Sequence, residues 1–178
     1  MADAPSPAPF RPSRAALGIA CGLAALVLLV YVRALGCGFT NFDDDLYVTA
    51  NPWVLRGVTW DGIAWAFGDW YGGFWQPLVW LSYMANVTRD AAGHLDPFPF
   101  HLTNVLLHAG NTVLLFGLLR SLTGALWRPA LVAALFAFHP LHVESVAWIA
   151  ERKDVLSTLF WFAAAWAYAA WARRGGAG

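Results

Sequence analysis

Residues 15–35 run for 21 positions with one charge, Arg33, and that charge stands at the far end where a long side chain can snorkel to the headgroups. A stretch of this length and polarity crosses a bilayer, so the chain folds around lipid as well as around water. Apolar stretches recur at 100–120, 128–149 and 155–172. The expected fold class is therefore an all-α polytopic membrane protein with four transmembrane helices. Residues 1–14 hold four prolines and read as a disordered cytoplasmic tail, 15–174 as one membrane module, and 175–178 as a Gly/Ala tail.

Composition agrees. Only 12% of the 178 residues are charged, against ~25% in soluble domains. Eleven basic residues balance eleven acidic ones, which argues against nucleic acid as a partner. Cys21 and Cys37 would stand ~24 Å apart along a helix and cannot pair. Arg11, Arg14, Arg120, Arg128, Arg173 and Arg174 collect on one side of the spans, whereas Arg56, Arg89, Arg152 and Lys153 fall on the other. That bias puts both termini inside and the long loop 36–99 outside. The third apolar stretch stays clean only from Pro129 to Phe138, ~15 Å of helix. His139-Pro140 then falls within the membrane thickness, which predicts a pocket sunk into the outer leaflet.

The outer loop carries six of the eleven tryptophans: Trp53, Trp60, Trp65, Trp70, Trp75 and Trp80. Thr59 is placed to cap a short amphipathic helix in which Trp60, Ile63, Ala64 and Phe67 share a face. A second short helix is expected from Pro77 to Asn86. Such helices suit the headgroup layer, and their rings also suit stacking on a sugar or guiding a lipid chain.

Three groups carry chemistry. Asp43-Asp44-Asp45 follows the first span; three adjacent carboxylates are either a solvated turn, or a general base or a ligand set for Mg²⁺ or Mn²⁺. On the second span His101, Asn104, His108, Asn111 and Thr112 occupy an arc of about 100°, so they face the bundle interior as interhelical glue or as a pocket wall. His139, His142 and Glu144 precede Glu151-Arg152-Lys153-Asp154. The first three have metal-binding side chains without an established spacing. Arg152 and Lys153 sit at the dipole-positive start of the fourth span, a place for a phosphate. Asn86-Val87-Thr88 is a glycosylation sequon.

The string His139-Pro140-Leu141-His142-Val143-Glu144-Ser145-Val146-Ala147-Trp148, continuing through Glu151-Arg152-Lys153-Asp154-Val155-Leu156-Ser157, resembles the N-terminal membrane part of TPR-repeat O-mannosyltransferases of the TMTC type and their bacterial relatives. Phe39-x-Asn41-Phe42-Asp43-Asp44-Asp45, Gln76-Pro77-Leu78 and Phe100-His101-Leu102-Thr103-Asn104 occur in the same order. The resemblance implies part of a GT-C glycosyltransferase fold in a bacterial inner membrane or an endoplasmic reticulum membrane. It implies a mannose-like sugar passed from a polyprenyl-phosphate carrier to a hydroxyl of a protein or glycan on the periplasmic or luminal face. Asp43 is then the catalytic base with Asp44 beside it, and Arg152 and Lys153 bind the donor phosphate. His101, His139, His142, Glu144 and Asp154 are expected to line the pocket, and Asp43, Asp44, His142 and Glu144 are the candidate ligands of a divalent cation. Family members have more spans and C-terminal repeats, so the resemblance also implies a truncated frame, completed by missing helices or a partner subunit. The alternative reading is a non-catalytic membrane scaffold.

Overall fold

A computed structural model describes residues 13–173. Residues 1–12 and 174–178 lie outside the described residues, and with them most of the expected N-terminal tail, Arg174 and the Gly/Ala tail.

Helix α1 spans Arg14–Tyr31, opened by Ser13, whose hydroxyl accepts from the Ala16 N–H at 3.2 Å. A 3₁₀ turn at Val32–Gly36 prolongs it. The outer loop then folds into a wide turn at Asp45–Thr49, a 3₁₀ turn at Val54–Arg56, and helices α2 (Trp60–Gly68) and α3 (Pro77–Ala85). Thr59 caps α2 as expected, accepting from the Gly62 N–H at 3.1 Å, and Pro77 starts α3, where its missing N–H costs nothing. Helix α4 (Phe98–Thr123) ends at Gly124, whose φ of 69° supplies a left-handed cap. Helices α5 (Trp127–Phe138), α6 (His142–Ala147) and α7 (Arg152–Arg173) complete the described chain.

By length and composition three segments can cross a membrane: Arg14–Gly36, Phe98–Thr123 and Ile149–Arg173. The expected third span at 128–149 is not one helix. Helix α5 stops after 12 residues, ~18 Å, because Pro140 follows and holds His139 extended (φ −62°, ψ 130°). From there the chain runs back along α4 through α6 and a 3₁₀ turn at Ile149–Glu151. Its landmarks descend the α4 numbering: Ala137 lies at His108, Trp148 at Asn104, and Arg152 at Phe100. Helix α7 then retraces α4 in parallel, with Leu159 against Gly110, Trp166 against Gly117, and the Arg173 guanidinium on the Ser121 carbonyl.

Helix α4 is thus the central post, packed by α1, α5 and α7. Its polar arc does lie inward: His101, Asn104, His108, Asn111 and Thr112 are all buried. Asn104 donates to the Trp148 carbonyl at 3.0 Å, Asn111 to the Val155 carbonyl at 2.8 Å, and His108 Nε2 lies 3.2 Å from the Ala137 carbonyl. Ala137 and Trp148 stand at the ends of α5 and α6, where helix carbonyls run out of partners, and α4 supplies donors to them; the Val155 carbonyl lies inside α7. Above this bundle, α2 and α3 close an aromatic core of Trp65, Trp80, Tyr83 and Phe100 over Ile149.

Candidate functional site

The site begins with a carboxylate that is not free. Asp44 is 1% exposed; its Oδ2 accepts from the backbone N–H and the hydroxyl of Thr40 at 2.8 and 3.0 Å, and its Oδ1 accepts from the Ala150 N–H at 2.9 Å. It joins the loop after α1 to the turn that enters α7. Asp43, next to it, is only partly buried, and its carboxylate has no hydrogen bond to another described residue. Asp45 is exposed, with Oδ1 on the Leu46 N–H. Of the three adjacent acids, Asp44 locks the backbone and Asp43 keeps an open carboxylate.

Arg152 points the opposite way from what a phosphate ligand needs. It is fully buried. Its Nε donates to Asn104 Oδ1 at 2.8 Å, Nη1 to Asn86 Oδ1 and Ser82 Oγ at 2.5 and 3.2 Å, and Nη2 to the Phe100 carbonyl at 2.6 Å. The guanidinium lies 4.6 Å over the Tyr83 ring. Every partner is neutral, and the arrangement clamps α3, α4 and α7 together. The direct phosphate contact expected of Arg152 is not open in this structure. Asn86, the sequon residue, is likewise committed, since its amide also donates to Thr103 Oγ1 at 2.9 Å.

Lys153 takes the outward direction. Its Nζ pairs with Glu151 at 2.7 Å, and the side chain is one third exposed. It borders an open groove of about 410 Å³ whose walls include Phe67, Trp75, Leu78, Leu156 and Phe160. Gln76 also borders the groove, with its buried Nε2 unpartnered among the described residues. Lys153 and Asp43 both act on the Tyr47 phenol. Burial first, then Asp43 and Glu151, push the Tyr47 phenol above its ordinary value, while Lys153 pulls it down. An open carboxylate, an ion-paired ammonium and an apolar channel therefore share one end of α7.

The remaining predicted residues lie elsewhere. His142 and Asp154 line a separate cavity of about 270 Å³ together with His108, Asn111 and Ser145. In it Ser145 donates to Asp154 Oδ2 at 2.8 Å. His139 and Glu144 are exposed and border neither cavity. His101 is buried against the backbone of Gly38 and Ala147. Asp43, Asp44, His142 and Glu144 do not form one donor set, and among the described residues no group of three or more His, Cys, Asp or Glu is placed to hold a metal. Sequence reading did not single out Tyr47, nor Glu151 as the partner of the predicted Lys153. Their only signal is position, one helical turn or less from the predicted residues.

Similar proteins give this geometry a context. The chain is 37% identical over 145 residues to protein O-mannosyl-transferase tmtc2 of Xenopus laevis, an overlap of 76% of this chain and 17% of that protein. It is 35% identical over 141 residues to Tmtc2 of Drosophila melanogaster (74% and 14%), and 34% identical over 145 residues to TMTC2 of Homo sapiens (76% and 17%). It spans less than a fifth of the length of these relatives. No family model and no solved structure matches it.

Proposed function

We propose, from the homology of this chain to TMTC-type protein O-mannosyl-transferases over about three quarters of its length, that it forms the donor-and-base part of a membrane glycosyltransferase of GT-C type. The donor is a mannose-like sugar on a polyprenyl phosphate; the acceptor is a hydroxyl of a protein or glycan on the outer or luminal face. The observation that carries this reading is the groove: apolar walls for a prenyl chain, with the Lys153 ammonium at its border. A lipid phosphate needs both at once, a dry channel for its tail and a cation for its head.

The reaction is a single displacement. Asp43 takes the proton of the acceptor hydroxyl as its oxygen attacks the anomeric carbon, and the bond from that carbon to the phosphate oxygen breaks. The lipid phosphate leaves with the electron pair, its charge met by Lys153 released from Glu151, and the anomeric centre inverts. Arg152 acts at a distance, by fixing the helix start that aims Lys153. No step is routed through a metal. The relatives' greater length leaves room for further helices, in the same polypeptide or a partner subunit, to complete the groove.

The test is sugar transfer from a polyprenyl-phosphate sugar to a hydroxyl acceptor, in membranes containing the protein. Asp43→Asn is expected to cut turnover by about 10²-fold or more, the scale of general-base catalysis, with insertion unchanged. Lys153→Met is expected to raise the donor KM. Full transfer by Asp43→Asn would overturn the assignment of the base.

A further inference from the structure

The cavity of about 270 Å³ between α4, α5, α6 and α7 takes no part in the proposed reaction. Buried His108 and Asn111 lie deep in its wall, and Asp154 and Ser157 stand exposed at its edge. Most protons of this wall are already spent on the protein itself. Asn111 Nδ2 donates to the Val155 carbonyl, so the amide keeps only its oxygen; that Oδ1 is buried and has no partner among the described residues. His108 Nε2 faces the Ala137 carbonyl, which can only accept, so the proton of the neutral ring sits there and Nδ1 is left as an acceptor. Ser145 donates to Asp154 Oδ2 and Ser157 to the Asp154 carbonyl, which leaves Asp154 Oδ1 uncommitted. Among the polar side chains of the wall, only Thr158 and one nitrogen of His142 keep a proton to offer.

Charge points the same way. Asp154 belongs to the membrane-crossing segment Ile149–Arg173, no ion pair among the described residues engages it, and no Lys or Arg lines the cavity. An acid in such a segment calls for a cation. We infer that the cavity binds a primary ammonium group, held by the Asp154 carboxylate with acceptors of Asn111 and His142 beside it. An ammonium brings three donors and one positive charge, the complement of what the wall leaves unpaired. A phosphate would meet the carboxylate with no cation to offset it, and a neutral sugar would leave the carboxylate charge unmatched. A metal is served no better, since among the described residues no three His, Cys, Asp or Glu side chains converge to hold one. The ammonium can belong to an aminophospholipid headgroup or to a small free amine; the chemistry of the site is the same for both. The inference does not need the transferase reading.

The test uses the full chain in a maltoside detergent, with ethylammonium chloride as the probe. Thermal unfolding is the readout, since a ligand of the folded state raises the midpoint. Ethylammonium is expected to bind about ten-fold more tightly than tetramethylammonium at equal ionic strength, because the second cation has the charge without the donors and forfeits a hydrogen bond to a charged group. Asp154→Asn is expected to remove this preference, and His142→Phe, which keeps a ring in place, to weaken it. No response to ethylammonium, or an equal response to both cations, overturns the inference. A preference untouched by both variants places the site elsewhere and overturns it too, as does tighter binding of methyl mannoside than of ethylammonium. In phosphatidylcholine nanodiscs, a rise on adding phosphatidylethanolamine that is lost in Asp154→Asn assigns the ammonium to lipid. A rise with ethylammonium but none with that lipid assigns it to a free amine.

Discussion

The Asp44 carboxylate accepts the backbone N–H of Ala150 at 2.9 Å across 106 positions of sequence. That bond fixes the segment after the first span on the turn that launches α7. The open acid Asp43 is next to Asp44 in sequence, and Lys153 follows Ala150 by three positions. Their common influence on Tyr47 follows from a backbone lock, not from direct attraction between them.

Asp44→Asn is expected to break this lock. The carboxylate receives two backbone N–H groups and a hydroxyl, whereas an amide offers one oxygen and turns its NH₂ toward a donor. The cost is about 1–3 kcal/mol for the donor left unpaired. Hydrogen exchange in detergent should show lost protection at Ala150 and across 40–50, while Asp43→Asn leaves both unchanged. Equal protection in the two variants would show that Asp44 does not hold the loop.

Arg152 gives a second contrast. Arg152→Lys cannot serve Asn104, Asn86, Ser82 and the Phe100 carbonyl together, because an ammonium is a compact donor where the guanidinium is a planar fork. Arg152→Ala leaves several buried acceptors with no donor, a loss of about 3 kcal/mol or more. Both variants should lower the unfolding temperature in detergent before any donor is added. A pure rise in donor KM at unchanged stability would instead return Arg152 to the phosphate.

Much of the frame was legible because a bilayer tolerates few sequences. The 21-residue run at 15–35, the inward arc of α4 and the Thr59 cap follow from length, period and one side chain. The third stretch was expected to run on to 149 although its clean apolar part ends at Phe138, and Pro140 breaks the helix there. The direction of Arg152 was not legible. A charged residue at a helix start faces out or in according to what neighbouring elements offer, and its partners Ser82, Asn86 and Asn104 come from two helices distant in sequence. Asp43 and Asp44 are chemically the same; only Ala150 and Thr40, placed by the fold, tell them apart.

Helices α4 and α7 pack closely at Gly117, where an added Cβ would overlap the Trp166 ring, with Cζ3 at 2.7 Å. Gly117→Ala is therefore expected to cost about 1–3 kcal/mol by forcing the indole aside. The double variant Gly117→Ala with Trp166→Leu should recover part of that loss, since the smaller side chain vacates the space. Additive losses in the pair, measured by thermal unfolding, would show that the two residues do not meet.

Alkaline pH probes the joint between α3 and the turn before α7. Tyr83 is fully buried, donates its hydroxyl to the Ile149 carbonyl at 2.8 Å, and lies under Arg152. Burial raises its phenol pKa, with the Arg152 charge pulling partly against that rise. The folded state then holds the proton more tightly than the unfolded chain, whose tyrosines titrate near 10. This contribution is complete below that value and is lost as pH climbs through the folded pKa. In absorbance titrations at alkaline pH, the increment missing from Tyr83→Phe should appear only together with loss of tertiary structure. At neutral pH the same variant should be about 1 kcal/mol less stable, the worth of one hydrogen bond. A Tyr83 phenolate formed near pH 10 with the fold intact would mean that the joint is open to water.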